Sequence, residues 1–272
     1  MDIHFVKASP CRNTTVFLEG DVRPEDYAAI ANLAMDSDYL AAEQAGFLAA
    51  PRDDGAVLRL EMAGGEFCGN ATLALAALAV TRGLAEVETE FLVECSGAET
   101  PLACVVEARS RGRYLVGAEM PGAQSVTPLT IPAAGREFSG GLVELPGIRH
   151  FCFAADVPPT RREYDAILDA LFASGEAGAY GVIPYQRQGT ACTIRPYVGV
   201  ADTKSRVFEQ ACGSGSLALG IWLGRDGDGR FTVSQPGGTI AVEPGVPSIA
   251  ATVYFPCEGN LFVPEELLRE DG

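Results

Sequence analysis

Two hydrophobic rhythms alternate along the chain. Short period-two runs predict strands at Ile3–Lys7 and Thr15–Glu19, joined by a Pro10-Cys11-Arg12-Asn13 turn. A helix is predicted from Pro24 to about Met35, because Tyr27, Ile30, Leu33 and Ala34 recur at helical spacing behind a first-turn proline. Gly46–Ala50 and Ala56–Met62 read as strands. Ala71–Thr81 is apolar nearly all round, which predicts a central helix buried on every side and ended by Gly83. Strands follow at Glu90–Glu94, Leu102–Ala108 and Arg113–Glu119.

The Pro-, Gly-, Ser- and Thr-rich stretch Pro121–Gly141 is the expected linker, and beyond it the same grammar returns. Strands are predicted near Leu142–Leu145 and Arg149–Ala154, then a helix over Arg161–Ala173, then strands at Tyr180–Tyr185 and Thr190–Tyr197. A second wholly apolar helix, Ser216–Leu223, ends at Gly224. Phe231–Ser234, Thr239–Val242 and Ala251–Phe255 complete the strands. Each half is mainly β with one apolar helix, an α+β plan.

Composition narrows the partners. The 272 residues carry a formal net charge of −16, which argues against nucleic acid or an anionic membrane surface. The N-terminal MDIHFVKASP lacks the basic-then-apolar layout of a signal peptide, and the apolar run Ala71–Val80 is too short to cross a bilayer. A soluble, cytoplasmic protein is expected. The eight cysteines are scattered with no CxxC pair, and His4 and His150 are the only histidines, so neither a disulfide framework nor a zinc site is expected. Lys7 and Lys204 are the only lysines and neither follows a phosphate loop, which speaks against pyridoxal phosphate. No GxGxxG or Walker-type sequence is present, and no cofactor is expected.

The chemistry concentrates in a phrase that occurs twice: Phe67-Cys68-Gly69-Asn70-Ala71-Thr72 and Ala211-Cys212-Gly213-Ser214-Gly215-Ser216. Each copy runs straight into an apolar helix, and the copies lie about half the chain apart. A helix start carries unpaired N–H groups and partial positive charge, which favour a thiolate and bind a carboxylate. Two such starts addressing one ligand would clamp its carboxylate and set a sulfur on either side of the adjacent carbon. That suits racemisation of an α-amino acid, one thiolate removing the Cα proton while the other thiol protonates the opposite face. Glu209, three residues before Cys212, is placed to hold the substrate ammonium. Blander readings exist for each residue. A lone Cys-Gly before a helix is usually structural, His150 on a strand is often a core residue, and Asn13 suits a turn. A redox pair is a further possibility, although such pairs usually sit close in sequence.

These residues resemble the cofactor-independent amino-acid racemase and epimerase superfamily that includes diaminopimelate epimerase and proline racemase. The resemblance rests on Cys68-Gly69-Asn70, Cys212-Gly213-Ser214-Gly215 and Pro236-Gly237-Gly238. Within it, the chain is similar to the histidine racemases that serve staphylopine-type metallophore synthesis, through Tyr27–Asn32, Glu43-Gln44-Ala45-Gly46-Phe47, Glu66–Thr72 and Phe231–Gly238. The resemblance implies two pseudo-symmetric domains, each a barrel-like sheet around a central helix, with the site in the cleft between them. Residues 1–122, with about 258–272 returning, would carry Cys68, and residues 123–257 would carry Cys212. It implies Cys68 and Cys212 as the acid–base pair. Gly69, Asn70, Gly213 and Ser214 would hold the α-carboxylate. Asn13, His150 and Glu209 match further site positions, and Glu43 matches a carboxylate facing the substrate side chain.

Departures from diaminopimelate epimerase bear on the substrate. Gln210 stands where an arginine would be, Arg59 where one asparagine would be, and Ile148 where another precedes the histidine. The turn has Cys11-Arg12 where glycine-containing sequences are usual. The apparatus for a distal amino-carboxyl group therefore looks absent, and histidine is the expected substrate. The alternatives are diaminopimelate or another polar amino acid, an isomerase of the phenazine-biosynthesis type, and an amino-acid-binding relative without turnover. A homodimer is the assembly to test.

Overall fold

A computed structural model of the chain describes residues 1–110, 112–175, 177–201, 204–224 and 229–268. The chain forms two compact units, one of Met1–Ala118 with Ala250–Gly272, the other of Glu119–Ile249. Strands dominate both, which makes the architecture α+β.

In the first unit the strands are β1 (Asp2–Pro10), β2 (Thr15–Glu19), β3 (Gln44–Ala49), β4 (Ala56–Met62), β5 (Phe91–Cys95), β6 (Leu102–Ser110) and β7 (Arg113–Glu119). Helix α1 (Tyr27–Met35) follows a 3-10 turn at Pro24–Asp26, and helix α2 (Gly69–Thr81) follows β4. Each strand pairs with the next, and the last long strand of the chain, Ser248–Phe262, pairs with both β7 and β1, so the ladder closes on itself. Helix α2 packs against β1, β2, β4, β5 and β6, strands from around that circuit. Every residue from Gly69 to Ala79 is buried, as a helix with no polar face requires. Helix α1 lies on β3, with the Tyr27 ring stacked on Phe47 at 3.7 Å between centroids.

The second unit holds β8 (Ser125–Ala133), β9 (Arg136–Leu145), β10 (Ile148–Ala154), α3 (Arg161–Ala173), β11 (Ala179–Gln188), β12 (Ala191–Ile194), β13 (Tyr197–Val200), β14 (Ser205–Phe208), α4 (Gly213–Gly224), β15 (Phe231–Gln235) and β16 (Gly238–Glu243); β17 is the return strand Ser248–Phe262. The ladder runs β8–β9–β10–β11–β12–β15–β16, with β13 and β14 added beside β11. Helix α3 caps itself through Thr160 and Glu163 and buries Tyr164, Ile167, Leu168 and Leu171. Helix α4 packs on β9, β10, β11 and β16.

The expected linker is the main correction. Most of Pro121–Gly141 is the β8–β9 hairpin, paired over nine positions from Ser125↔Glu144 to Ala133↔Arg136. Its prolines and threonines look loop-like in composition, yet Leu129, Ile131 and Ala133 alternate on one face and join the core under α3. The strand expected over Thr190–Tyr197 is two strands, because Pro196 interrupts the ladder between β12 and β13. Strand β14 has no counterpart in the expected elements. The apolar helices begin two and three residues earlier than their hydrophobic runs, so each cysteine stands immediately before its helix.

Candidate active site

Cys68 is the N-cap of α2. Its backbone is extended (φ −131°, ψ 109°) and its sulfur accepts the Ala71 N–H at 3.3 Å, the bond a serine or aspartate cap would make. The thiol proton has its own acceptor, since Sγ lies 2.6 Å from the Gln44 side-chain oxygen at the start of β3. Thr72 returns its N–H and its hydroxyl to the Cys68 carbonyl, both at 2.9 Å. Gly69 and Asn70 form the buried first turn.

Glu43 precedes Gln44 in sequence and is tied to the turn that carries Asn13. The Glu43 N–H donates to the Thr14 carbonyl at 3.0 Å and to its hydroxyl at 3.1 Å, which ties the start of β3 to the β1–β2 turn. That turn holds Cys11 (φ 48°) and Arg12 (φ 62°) left-handed, closed by the Asn13 N–H on the Pro10 carbonyl at 2.9 Å. Two consecutive positive φ angles are the geometry of the tight hairpin turn usually filled by Asn-Gly, so non-glycine residues here carry strain. The outcome is a buried Asn13. Glu43 reaches solvent, yet desolvation of its carboxyl pushes the pKa up to about 7.

Arg59 does not present an open cation. It is buried between Glu61 (2.5 Å) and Glu94 (2.7 Å), and Glu94 also takes the N–H groups of Arg52 and Asp53. These residues line a cavity of about 530 Å³ with Ser96 and Gly97. Its cations are already matched by carboxylates, so it has no surplus charge for an anionic ligand.

In the second unit Cys212 precedes α4 and its sulfur accepts the Gly215 N–H at 3.3 Å. Around it the partners differ. Ser214 Oγ lies 3.5 Å from the sulfur and 2.9 Å from His150 Nε2. Burial pushes the Cys212 thiol well up, the Glu209 carboxylate it bonds pushes further, and Ser214 and the Gly215 N–H act in the opposite sense. His150 is fully buried and its pKa is pushed down to about 3, so the ring is neutral near pH 7. Its Nδ1 has no hydrogen-bond partner among the described residues. A buried lone pair costs less to leave bare than a buried N–H, so the proton belongs on Nε2 and is donated to Ser214. The serine hydroxyl proton is then available to Cys212. Gly181, paired with His150 across β10 and β11, is required here, because a Cβ would lie 2.1 Å from Nδ1.

The first unit thus carries Cys68, Gly69 and Asn70 at one helix start, with Glu43 next in sequence to the thiol partner Gln44 and tied to the turn of Asn13, and the second brings together His150, Glu209, Cys212, Gly213 and Ser214. Sequence reasoning missed Gln44 on the first thiol, and it missed Gln235, whose side chain grips the Cys212 backbone. Both lie inside stretches that carried the family resemblance, but nothing in those stretches marks a glutamine as a thiol partner. Among the described residues no group of three His, Cys, Asp or Glu could hold a metal, and no helix is long and apolar enough to cross a membrane.

Comparison with known proteins follows the same lines. The family model described as the histidine racemase CntK N-terminal domain matches residues 2–251. A histidine racemase of Fusobacterium nucleatum is 28% identical over 273 residues, covering 96% of this chain and 97% of that protein. A histidine racemase of Staphylococcus aureus is 28% identical over 248 residues, covering 88% of each. Among solved structures, a hydroxyproline epimerase from Agrobacterium vitis superposes with a TM-score of 0.70 at 12% identity, over 96% of this chain and 92% of that one. A PhzF-family phenazine biosynthesis protein of Bacillus anthracis gives 0.65 at 13% identity, over 97% and 99%. These structures share the fold.

Proposed function

The chain belongs to the histidine racemase family, and from that premise we propose that it interconverts L- and D-histidine without a cofactor, using Cys68 and Cys212 as paired base and acid. The observation that carries the mechanism is the repeated cap. Each thiol sits at the start of a buried apolar helix, accepts an N–H of the first turn, and is flanked by a glycine that leaves the backbone open. The reading requires the two thiols to address opposite faces of one Cα, and the two units to act as pseudo-symmetric epimerase-like domains.

In one direction a thiolate takes the Cα proton and its electron pair moves into the carboxylate, while the other thiol delivers its proton to the opposite face. The roles exchange in the return direction. The helix starts at Gly69-Asn70 and Gly213-Ser214 hold the carboxylate where negative charge grows. Glu209, bonded to the Cys212 thiol before substrate arrives, turns to the substrate ammonium. That exchange removes from the sulfur the anion that keeps it protonated. Glu43 accepts the imidazole N–H. Arg59 is already matched by Glu61 and Glu94 and offers no free cation to a distal carboxylate, which favours histidine over diaminopimelate. The D-histidine formed would enter metallophore assembly in the cytoplasm.

The test is incubation of the reduced protein in deuterated water with a panel of L-amino acids, following Cα deuteration and optical rotation. Histidine should exchange and racemise fastest. Exchange of histidine no faster than background would overturn the substrate assignment, and no exchange with any amino acid would leave a binding protein.

A further inference from the structure

Each proposed catalytic cysteine is gripped along its backbone by one buried side chain from the end of a neighbouring strand. Gln235 closes β15, and its side-chain oxygen accepts the Cys212 N–H at 2.7 Å. Its amide nitrogen donates to Ser216 Oγ at 2.9 Å, and that hydroxyl donates to the Cys212 carbonyl at 2.7 Å. One side chain therefore fixes both polar groups of one residue. The direction of the Cα–Cβ bond, and with it the position of Sγ, follows from that backbone.

The first unit repeats the loop with a different chemical group. Cys95 closes β5, its sulfur accepts the Cys68 N–H and is paired with the Thr72 hydroxyl, whose own proton goes to the Cys68 carbonyl at 2.9 Å. A protonated thiol can accept on sulfur and donate its proton, as an amide accepts on oxygen and donates on nitrogen. Burial keeps Cys95 protonated. It stands to Cys68 and Thr72 as Gln235 stands to Cys212 and Ser216.

We infer that Gln235 and Cys95 are the positioning residues of the two thiols, Gln235 aligning Cys212 and Cys95 aligning Cys68, each for its own face of the substrate. The inference rests on the two-thiol reading above. Neither residue touches substrate; each acts through the backbone of a cysteine. A hydrogen bond to sulfur is longer and weaker than one to an amide, so Cys212 is held more firmly than Cys68.

The test is enantiomer-resolved exchange in deuterated water. In Gln235→Leu, kcat for inversion of histidine falls about 10- to 100-fold, the scale of a thiol displaced by about 1 Å, with KM within about threefold. The enantiomer whose proton faces Cys68 keeps exchanging Cα hydrogen without inverting, because Cys68 removes the proton and returns a solvent deuteron. The other enantiomer loses exchange and inversion together. Cys95→Ala shows the opposite enantiomer bias, with a smaller loss. Gln235→Glu keeps an acceptor for the Cys212 N–H and recovers part of the rate. If Gln235→Leu does not fold, Gln235→Glu and Ser216→Ala each break one link of the same loop and must show the bias of Gln235→Leu in weaker form. Exchange and inversion falling in parallel for both enantiomers, or no loss in these variants, overturns the inference. A wild-type protein that does not racemise histidine overturns the earlier reading instead, and is seen first.

Discussion

At the start of α2 the Cys68 thiol meets a neutral amide oxygen, whereas at the start of α4 the Cys212 thiol meets a carboxylate and a serine hydroxyl backed by a neutral histidine. The helices are alike in length and apolar composition, so the difference comes from the first-turn residue, Asn70 against Ser214, and from the strands and turns that supply the other neighbours. A racemase needs two groups able to exchange roles, and near-identical chemistry does not require identical surroundings. If Glu209 turns to the substrate ammonium as proposed, the carboxylate beside Cys212 would also make that thiol depend on substrate charge, whereas the Gln44 amide on the Cys68 thiol is neutral. The comparison teaches that, in the proposed mechanism, the shared helix start would provide the reaction and the unshared neighbours would set when each thiol is loaded.

The strongest way to break this comparison is to remove each sulfur. Cys68→Ser and Cys212→Ser should each lower racemisation by roughly a thousandfold or more, since a serine hydroxyl is far less acidic than a thiol and is scarcely populated as the alkoxide the step needs. Far-ultraviolet circular dichroism should be unchanged, because a serine hydroxyl can still cap the helix. Full activity in either variant, measured by optical rotation with L- and with D-histidine, would end the two-thiol account.

A smaller effect separates the neighbours. Ser214→Ala removes the hydroxyl that links Cys212 to His150, and leaves the buried Nε2–H without an acceptor, at a cost of about 1–3 kcal/mol in stability. Activity should fall about tenfold or more with it, as for loss of one charge-directed donor. Gln44→Leu should lower activity on the same scale but leave stability nearly intact, because Gln44 is only half-buried and its loss strands no fully buried partner. Urea unfolding midpoints measured alongside kcat decide whether the two sites differ in this way.

The smallest expected signal is in pH. Glu43 titrates near 7, so kcat/KM for histidine should rise as pH passes through that value, and Glu43→Gln should remove that limb while leaving those set by the thiols. His150 should contribute no limb near neutrality. Its folded pKa lies below the ordinary 6.5, so the unfolded chain binds the proton first. The stability it confers is complete above about pH 6.5 and is lost as pH falls from there towards 3. Unfolding midpoints at pH 7, 5 and 4 test this, and a flat response would contradict a neutral buried ring.

The local structure of the candidate site was legible because helix-end chemistry is local. A cysteine, a glycine and an apolar run are enough to specify a capped, buried helix start, and each phrase contains them all. Leu129, Ile131 and Ala133 were legible too as a period-two pattern, but the prolines between them outweighed it, so a hairpin was read as a linker. Glu209 was expected to hold an ammonium and is found on the Cys212 thiol, a contact that depends on how the segment after β14 turns. Gln44, Gln235 and Cys95 carried no signal at all. A glutamine near a strand end is ordinarily a polar residue at a sheet edge, and only its partner gives it a role.

The sequence by itself determined the two cysteine-capped helices, the α+β plan and the family, since hydrophobic period and helix-end chemistry act over a few neighbouring residues. The tertiary structure decided which side chains surround the two cysteines: Gln44 on the Cys68 thiol and Cys95 on its backbone, Ser214 on the Cys212 thiol with His150 behind it, and Gln235 on the Cys212 backbone. Most of those contacts join residues about 20 or more positions apart, in strands whose register is fixed by the packing of the whole unit. A buried polar group must find a partner wherever the fold brings one, and that choice is made in space.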